Sequence, residues 1–291
     1  MRAPGSSRPT RASATAGSSD PPTKQTGGPP PTAARPVRDR SRSTEHRGHL
    51  ESVSTEQFIT LADLAVEAEA AFALTVRGME LLGRAEHGLA SEREGRALRA
   101  LVPAAKLLTA KDAVAHASEV VEAFGGAGYV EDTGIPRLLR DAQVLPIWEG
   151  TTNVLSLDLL RAESREQAVT ALLEDLAELT AGVRSAPGLG VELVERSREA
   201  LLEGVRAWPG SDGDALQERM RGFALRLGRS CAAALLAQHA ALRRASHGDD
   251  RAAQVARRYA ERWLAGPAGA TADGRGSSPR PALAERAVLG W

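Results

Sequence analysis

The residues best suited to chemistry gather between positions 122 and 154. A carboxylate, Glu149, stands between Trp148 and Gly150 in the run Ile147-Trp-Glu-Gly-Thr-Thr-Asn-Val154. A carboxylate can take a proton from a reacting group when it is held within hydrogen-bond reach of it. Gly150 has no side chain, so the main chain there can come close to a bound molecule. Thr151 or Thr152 can cap a helix starting at this point, and the positive end of such a helix favours a nearby phosphate. Upstream lie Glu122-Ala-Phe-Gly-Gly-Ala-Gly-Tyr129 and Pro136-Arg-Leu-Leu-Arg-Asp141. Taken singly, each motif has a plainer reading. A Glu before a Gly is more often a solvated loop carboxylate, and Gly-Gly-x-Gly also occurs in ordinary turns. Trp148 is as well suited to core packing as to a pocket wall. Arg137, Arg140 and Asp141 read more readily as ion pairs holding a loop than as ligands for a substrate.

The remaining reactive side chains carry less. His116 and His239 fall in helical segments without Cys, His or carboxylate partners at a metal-binding spacing, so no metal is expected. The single cysteine, Cys231, sits in the apolar run Cys231-Ala-Ala-Ala-Leu-Leu, where a packed thiol is expected rather than a nucleophile. One cysteine excludes an intrachain disulfide and fits a reducing, cytoplasmic compartment.

The elements that must position these residues are helical. Apolar residues make up 42% of the 291 residues but aromatics only 3%, so Ala and Leu supply the core, and both favour helix over strand. Phe58, Leu61, Ala65, Ala68, Phe72, Val76 and Met79 recur at spacings of three and four, which predicts one apolar face of a long helix. That helix is expected to start at a Ser54 or Thr55 cap and to reach Gly88, with a break near Gly83. A second helix, 91–124, is periodic through Leu98, Leu101, Ala105, Leu108, Val114 and Val121. Pro103 should kink it or mark the meeting of two helices. A loop-rich block, 125–152, holds a short helix near Arg137–Gln143, and a third long helix follows to about Arg161 or beyond. Further helices are expected at about 164–183, 190–207, 213–246 and 249–265.

Residues 1–53 read as a disordered leader: its first 49 residues hold half the prolines, with nine basic residues against three acids and no apolar periodicity. The expected plan is therefore all-α, an up-down bundle over 54–162 with a helical extension at 163–265 and a frayed tail at 266–291. The net charge is zero, so no overall field draws in nucleic acid. No stretch approaches the length of apolar residues that spans a bilayer, so the chain reads as soluble. Nearly all the basic residues are Arg; Lys occurs only at 24, 106 and 111.

Together, in this order and with twenty-seven positions from Glu122 to Glu149, the three motifs resemble the C-terminal signature of acyl-CoA dehydrogenases. The run Leu101-Val-Pro-Ala-Ala-Lys106 resembles the helix that precedes the glycine motif in that family. The likeness is good over roughly 54–162 and sharpest at 119–161. It implies that Glu149 is the general base that removes the Cα proton of an acyl-CoA thioester while FAD takes hydride from Cβ. Burial beside Ile147 and Trp148 would desolvate that carboxylate, as such a base requires. The resemblance also implies that Gly150 adjoins the substrate and that Thr151 and Asn153 contact the dinucleotide part of FAD. Phe124 and Gly125 match positions that touch a neighbouring subunit's FAD, and Glu122 stands where most members carry Gln. That Glu, the Trp-Glu-Gly sequence and the helical extension are shared with the long alkylation-response (AidB-like) branch.

Within that family a helical N-terminal domain and a β-domain precede this region, and nothing in residues 1–53 is expected to supply them. Three readings follow. The chain is a flavin-site half that works on acyl-CoA with a complementary half or as a homo-oligomer, with an electron acceptor the sequence does not name. Alternatively, it is a non-catalytic oligomerisation module or gene remnant. Last comes a nucleic-acid binder using Arg243, Arg244, Arg251, Arg257, Arg258 and Arg262, against which stand the interspersed Asp249, Asp250 and Glu261.

Overall fold

The computed structural model describes residues 54–266. The leader 1–53 and the tail beyond 266 lie outside the described residues. Among those described there is no strand, and eight helices form an up-down bundle. They are α1 (Thr55–Glu86), α2 (Glu92–Ala123), α3 (Ile135–Val144), α4 (Thr152–Glu166), α5 (Ala168–Ala181), α6 (Val191–Ala207), α7 (Gly213–His247) and α8 (Arg251–Leu264).

Local chemistry sets the helix ends. Ser54 opens α1 with a capping box: its Oγ accepts from the Gln57 amide at 3.2 Å, and Gln57 Oε1 accepts from the Ser54 amide at 3.1 Å. Ser91 and Glu94 repeat the device at α2. Glu94 is also gripped by Arg84 from the last turn of α1 (3.0 and 3.2 Å), which closes the α1–α2 hairpin. The Arg84 hydrogen bond, with those from Ser91, lowers the Glu94 carboxyl to about 2. At the other end of the chain, Asp212 caps α7, and Gly248, with a φ of 65°, ends it in a left-handed turn.

The break expected near Gly83 is corrected, and two other helix boundaries are settled. α1 runs through Gly83 to Glu86 without interruption. α2 is one helix through Pro103, whose ring is buried. The third helix runs beyond Arg161 to Glu166, where Gln167 turns left-handed (φ 53°). Glu163 stabilises that corner by accepting from the Thr170 amide at 2.9 Å and from its hydroxyl.

α2 and α7 form the axis of the bundle. α2 packs against α1, α3, α4, α5 and α7, while α7 packs against α1, α2, α4, α5, α6 and α8. Small residues let the axis close up: a Cβ on Gly228 of α7 would come within 3.2 Å of the Ala104 carbonyl of α2. One apolar core runs from Val66 to Leu264 and includes the buried Cys231, whose thiol burial pushes up to about 12.

A second correction concerns α1. The stripe Leu61, Ala65, Ala68, Phe72, Val76 and Met79 faces outward, with Phe72 71% and Met79 67% exposed. The side turned to the core carries Val66, Ala70, Leu74 and Leu81. This helix is apolar on two sides, and only one meets α2 and α7.

A charged layer crosses the bundle where α1, α2, α7 and α8 meet. Glu67 contacts His116 at 2.5 Å and Arg262 at 3.0 Å, while Asp63 holds Arg258 and Arg262, each at 2.6 Å. Arg229 lies 3.5 Å over the ring of Trp263. Asp112, only partly accessible, faces this layer, and burial pushes its carboxyl up to about 6 against the pull of Arg229.

Candidate functional site

The 125–151 segment is built around close approaches that only glycine allows. Gly125 takes φ 56° just past the end of α2, and a single helical turn follows at Gly126–Tyr129. A Cβ on Gly128 would sit 2.0 Å from the Val121 carbonyl oxygen, so this turn lies directly on the last turn of α2. Arg140 then grips Glu131 through two bonds of 2.8 Å, and Arg137 pairs with Asp141 at 3.3 Å. The Arg140–Glu131 pair ties α3 to the preceding turn, while Arg137 and Asp141 pair with each other on the exposed face of α3.

Glu149 follows with φ 56°, a left-handed conformation that is uncommon for a residue with a side chain. Gly150 takes φ 114°, and a Cβ there would press to 3.0 Å on Leu155 Cδ2. Both neighbouring carbonyls are held from below: Lys106 Nζ of α2 donates to Trp148 O and to Gly150 O, each at 2.7 Å. Glu149 and Lys106 line a solvent-open groove of about 470 Å³ between α2 and the start of α4. Leu98, Val102, Pro103 and Leu155 form its apolar walls, with Arg99 and Asp158 farther along. Arg99 and Asp158 close on each other through two bonds of 2.8 Å, which hold the Asp158 carboxyl below its ordinary range.

The burial expected around Glu149 is not present. Glu149 is exposed, and Ile147 and Trp148 are themselves 62% and 55% exposed. Thr151 occupies the N-cap position of α4 but makes no capping side-chain bond; its hydroxyl and the exposed Asn153 stay open at the helix end. Glu122, Phe124 and Gly125 are exposed as well, at the far end of α2. Sixteen residues separate Glu122 from Lys106, about 24 Å along a helix. The candidate residues therefore fall into two groups. Glu149 lines the groove, with Gly150, Thr151 and Asn153 following it in the chain into the start of α4, while Glu122, Phe124 and Gly125 stand apart.

Sequence reasoning named Lys106 only as part of a run and gave it no role. A signal was available, since a lysine is rare in a chain whose basic residues are otherwise nearly all Arg. The six arginines considered for nucleic acid are all engaged: Arg243 with Asp249, Arg244 with Asp250, Arg251 with Glu69, Arg257 with Glu261, and Arg258 and Arg262 with Asp63. Among the described residues no three metal-ligating side chains gather, and no helix is long and apolar enough to cross a membrane.

A helical bundle with a Glu-Gly corner and a glycine-packed turn defines a class, and the comparisons agree with it. Residues 40–163 match the acyl-CoA dehydrogenase C-terminal domain. Over this stretch the chain is similar to the C-terminal domain of acyl-CoA dehydrogenases. It is 41% identical over 166 residues to acyl-CoA dehydrogenase family member 11 of Caenorhabditis elegans, covering 57% of this chain and 26% of that protein. The putative acyl-CoA dehydrogenase AidB of Escherichia coli is 36% identical over 115 residues, 40% of this chain and 20% of that one. Among solved structures, C. elegans ACDH-11 in complex with C11-CoA superposes with a TM-score of 0.65 at 35% identity, covering 70% of this chain and 35% of the other. The chain thus spans about a quarter of the length of the curated relatives it matches.

Proposed function

We propose that this chain is the base-bearing, flavin-site half of an acyl-CoA dehydrogenase, acting on acyl-CoA thioesters with Glu149 as the general base. The observation that carries the reading is the corner at 148–150, where Glu149 stands at the mouth of an apolar groove inside a matched domain. The Glu149 carboxylate accepts the proton that leaves Cα, Gly150 leaves room for the thioester end, and the product is the α,β-unsaturated thioester. Bound FAD would supply the acceptor for the hydride that leaves Cβ.

The residues present suit such a cofactor. The open Thr151 hydroxyl, Asn153 and the first amides of α4 form a helix end that favours a phosphate. Glu122, Phe124 and Gly125, about 24 Å from the Lys106 level of α2, suit contact with a second cofactor held by another copy. The exposure of Glu149 and Trp148 leads us to expect little turnover from this chain alone, because a carbon acid needs a base shielded from water.

The test is to co-express the chain with the remaining domains of a relative, load FAD and follow flavin bleaching by a series of acyl-CoAs. Glu149→Gln should slow bleaching by about 10²–10⁴-fold, the range typical for a lost general base. Equal rates in an active complex would remove Glu149 from the role.

The outward stripe on α1 favours a second reading, a bundle kept for assembly. Under that reading the chain associates through Phe72, Val76 and Met79 and binds no flavin in any combination of domains.

A further inference from the structure

We infer that Lys106 is a positioning residue: its ammonium clamps the carbonyls on either side of Glu149 and so sets the conformation that places the carboxylate in the groove. The inference rests on the reading of Glu149 as base for its purpose, but its geometry stands without that reading. Two carbonyl oxygens, Trp148 O and Gly150 O, converge on one nitrogen at 2.7 Å each. In an extended chain the carbonyls of residues i and i+2 run parallel and about 6.5–7 Å apart, too far to share one nitrogen. They converge on one cation here because Glu149, between them, has φ 56° and Gly150 has φ 114°. A left-handed residue with a side chain persists only where its surroundings over-determine it. A charge-assisted pair of hydrogen bonds from the neighbouring helix is such a constraint.

The residue type fits the task. A lysine is a compact charge on a flexible stem with three donors, able to take two carbonyls at unrelated angles, whereas a guanidinium is a rigid planar fork. This chain uses Arg almost everywhere else, so Lys106 departs from its own habit at the point where a point-like donor is needed. Lys106 follows Pro103 on α2 by one turn, and both line the groove beside Glu149. Glu149 is thereby tied to α2, one of the two axial helices of the bundle, even though its own loop is exposed.

The test begins with the full chain as it exists, isotopically labelled, comparing wild type with Lys106→Met and Lys106→Arg. In the Met variant, amide exchange at Ile147, Trp148 and Leu155, whose N–H groups donate to the Val144 and Thr151 carbonyls that flank the corner, should rise on the order of tenfold or more while that of Leu107 and Leu108 stays unchanged. The Arg variant, which keeps donors, should rise less. A Met variant that exchanges like wild type, or an Arg variant that opens as far as Met, overturns the proposal. Should Lys106→Met fail to fold, the wild-type chain decides. Its Lys106 Nζ should show slowed proton exchange and correlations to the Trp148 and Gly150 carbonyl carbons; a freely exchanging ammonium overturns the clamp.

In the complemented, flavin-loaded complex, Lys106→Met should slow flavin reduction on the order of tenfold, with acyl-CoA affinity changed by less than about threefold. Added to Glu149→Gln it should slow the reaction no further, since a residue acting through the base has nothing left to position. Additive slowing overturns the positioning role. If the wild-type complex reduces no flavin with any acyl-CoA, the proposed function falls, and the exchange and Nζ measurements alone decide the clamp.

Discussion

Gly128 is the residue with the least freedom in the site segment. The carbonyl of Val121, which a Cβ would meet at 2.0 Å, is main chain and cannot swing aside. Gly128→Ala must therefore push the Gly126–Tyr129 turn off the end of α2. It is expected to lower stability by about 1–3 kcal/mol, the usual range for overpacking. Denaturant unfolding of the two proteins measures this, and a variant as stable as wild type would show that the turn docks more loosely than described. Gly125, Gly128 and Gly150 were legible in the sequence as backbone positions, because a positive φ or a close approach favours glycine there, whereas the left-handed turn at Glu149 was not. The exposure of Glu149 was not legible either. Whether Glu149 is shielded depends on surfaces that face it from outside its own loop, and no local pattern reports those. Lys106 escaped notice for a related reason: its partners are main-chain carbonyls forty-two and forty-four positions away, which have no sequence signature.

At the scale of elements, helices and their caps were visible and their orientation was not. Ser54, Ser91, Gly248 and the apolar spacing located α1, α2 and α7 closely, since capping and periodicity are local properties. α1 shows the limit of the method. Its larger residues, Phe72 and Met79, form the more conspicuous stripe, yet the smaller set with Leu74 is the one packed against α2 and α7. Periodicity finds an apolar stripe but cannot choose between two on one helix. The position of the corner at Gln167 was likewise not legible, since it is a left-handed turn made without glycine. The orientation of α1 can be measured. Leu74→Ala should destabilise the chain by about 2–5 kcal/mol, as for a buried leucine. Phe72→Ala, at 71% exposure, should change stability by less than about 0.5 kcal/mol. Comparable losses in dilute solution would mean that both stripes are packed.

For the whole molecule, a net charge of zero conceals an uneven distribution: most ion pairs lie at the surface, but one layer is enclosed among α1, α2, α7 and α8. Burial raises Asp112 to about 6. Burial opposes the charged form of His116, yet the bond to Glu67 and its charge outweigh this and hold the imidazole above its ordinary value. Both groups bind protons more tightly in the folded chain than in the unfolded one. Their contribution is therefore fully present below the unfolded values, near 3.8 for Asp112 and 6.5 for His116. It is lost as pH rises through the folded ones. Stability from this layer should fall between about pH 4 and pH 7. Guanidinium titrations across that range should show a shallower fall in Asp112→Asn than in wild type, and parallel curves would exclude Asp112 as a source. The all-α plan was legible from composition, and the layer was not, since Glu67, Asp112, His116, Arg229 and Arg262 meet only after four helices pack.

The packed seam of α7 has one more consequence, for what can be timed. Its thiol is the only one in the chain, nearly inaccessible and held protonated far above neutral pH. A thiol reagent can reach Cys231 only during excursions that part α7 from its neighbours. The ratio of its labelling rate to that of a free cysteine is then the fraction of time the bundle stands open, provided reclosing is faster than reaction. The molecule thus carries its own stopwatch for core breathing, which needs no substitution, no ligand and no knowledge of the activity.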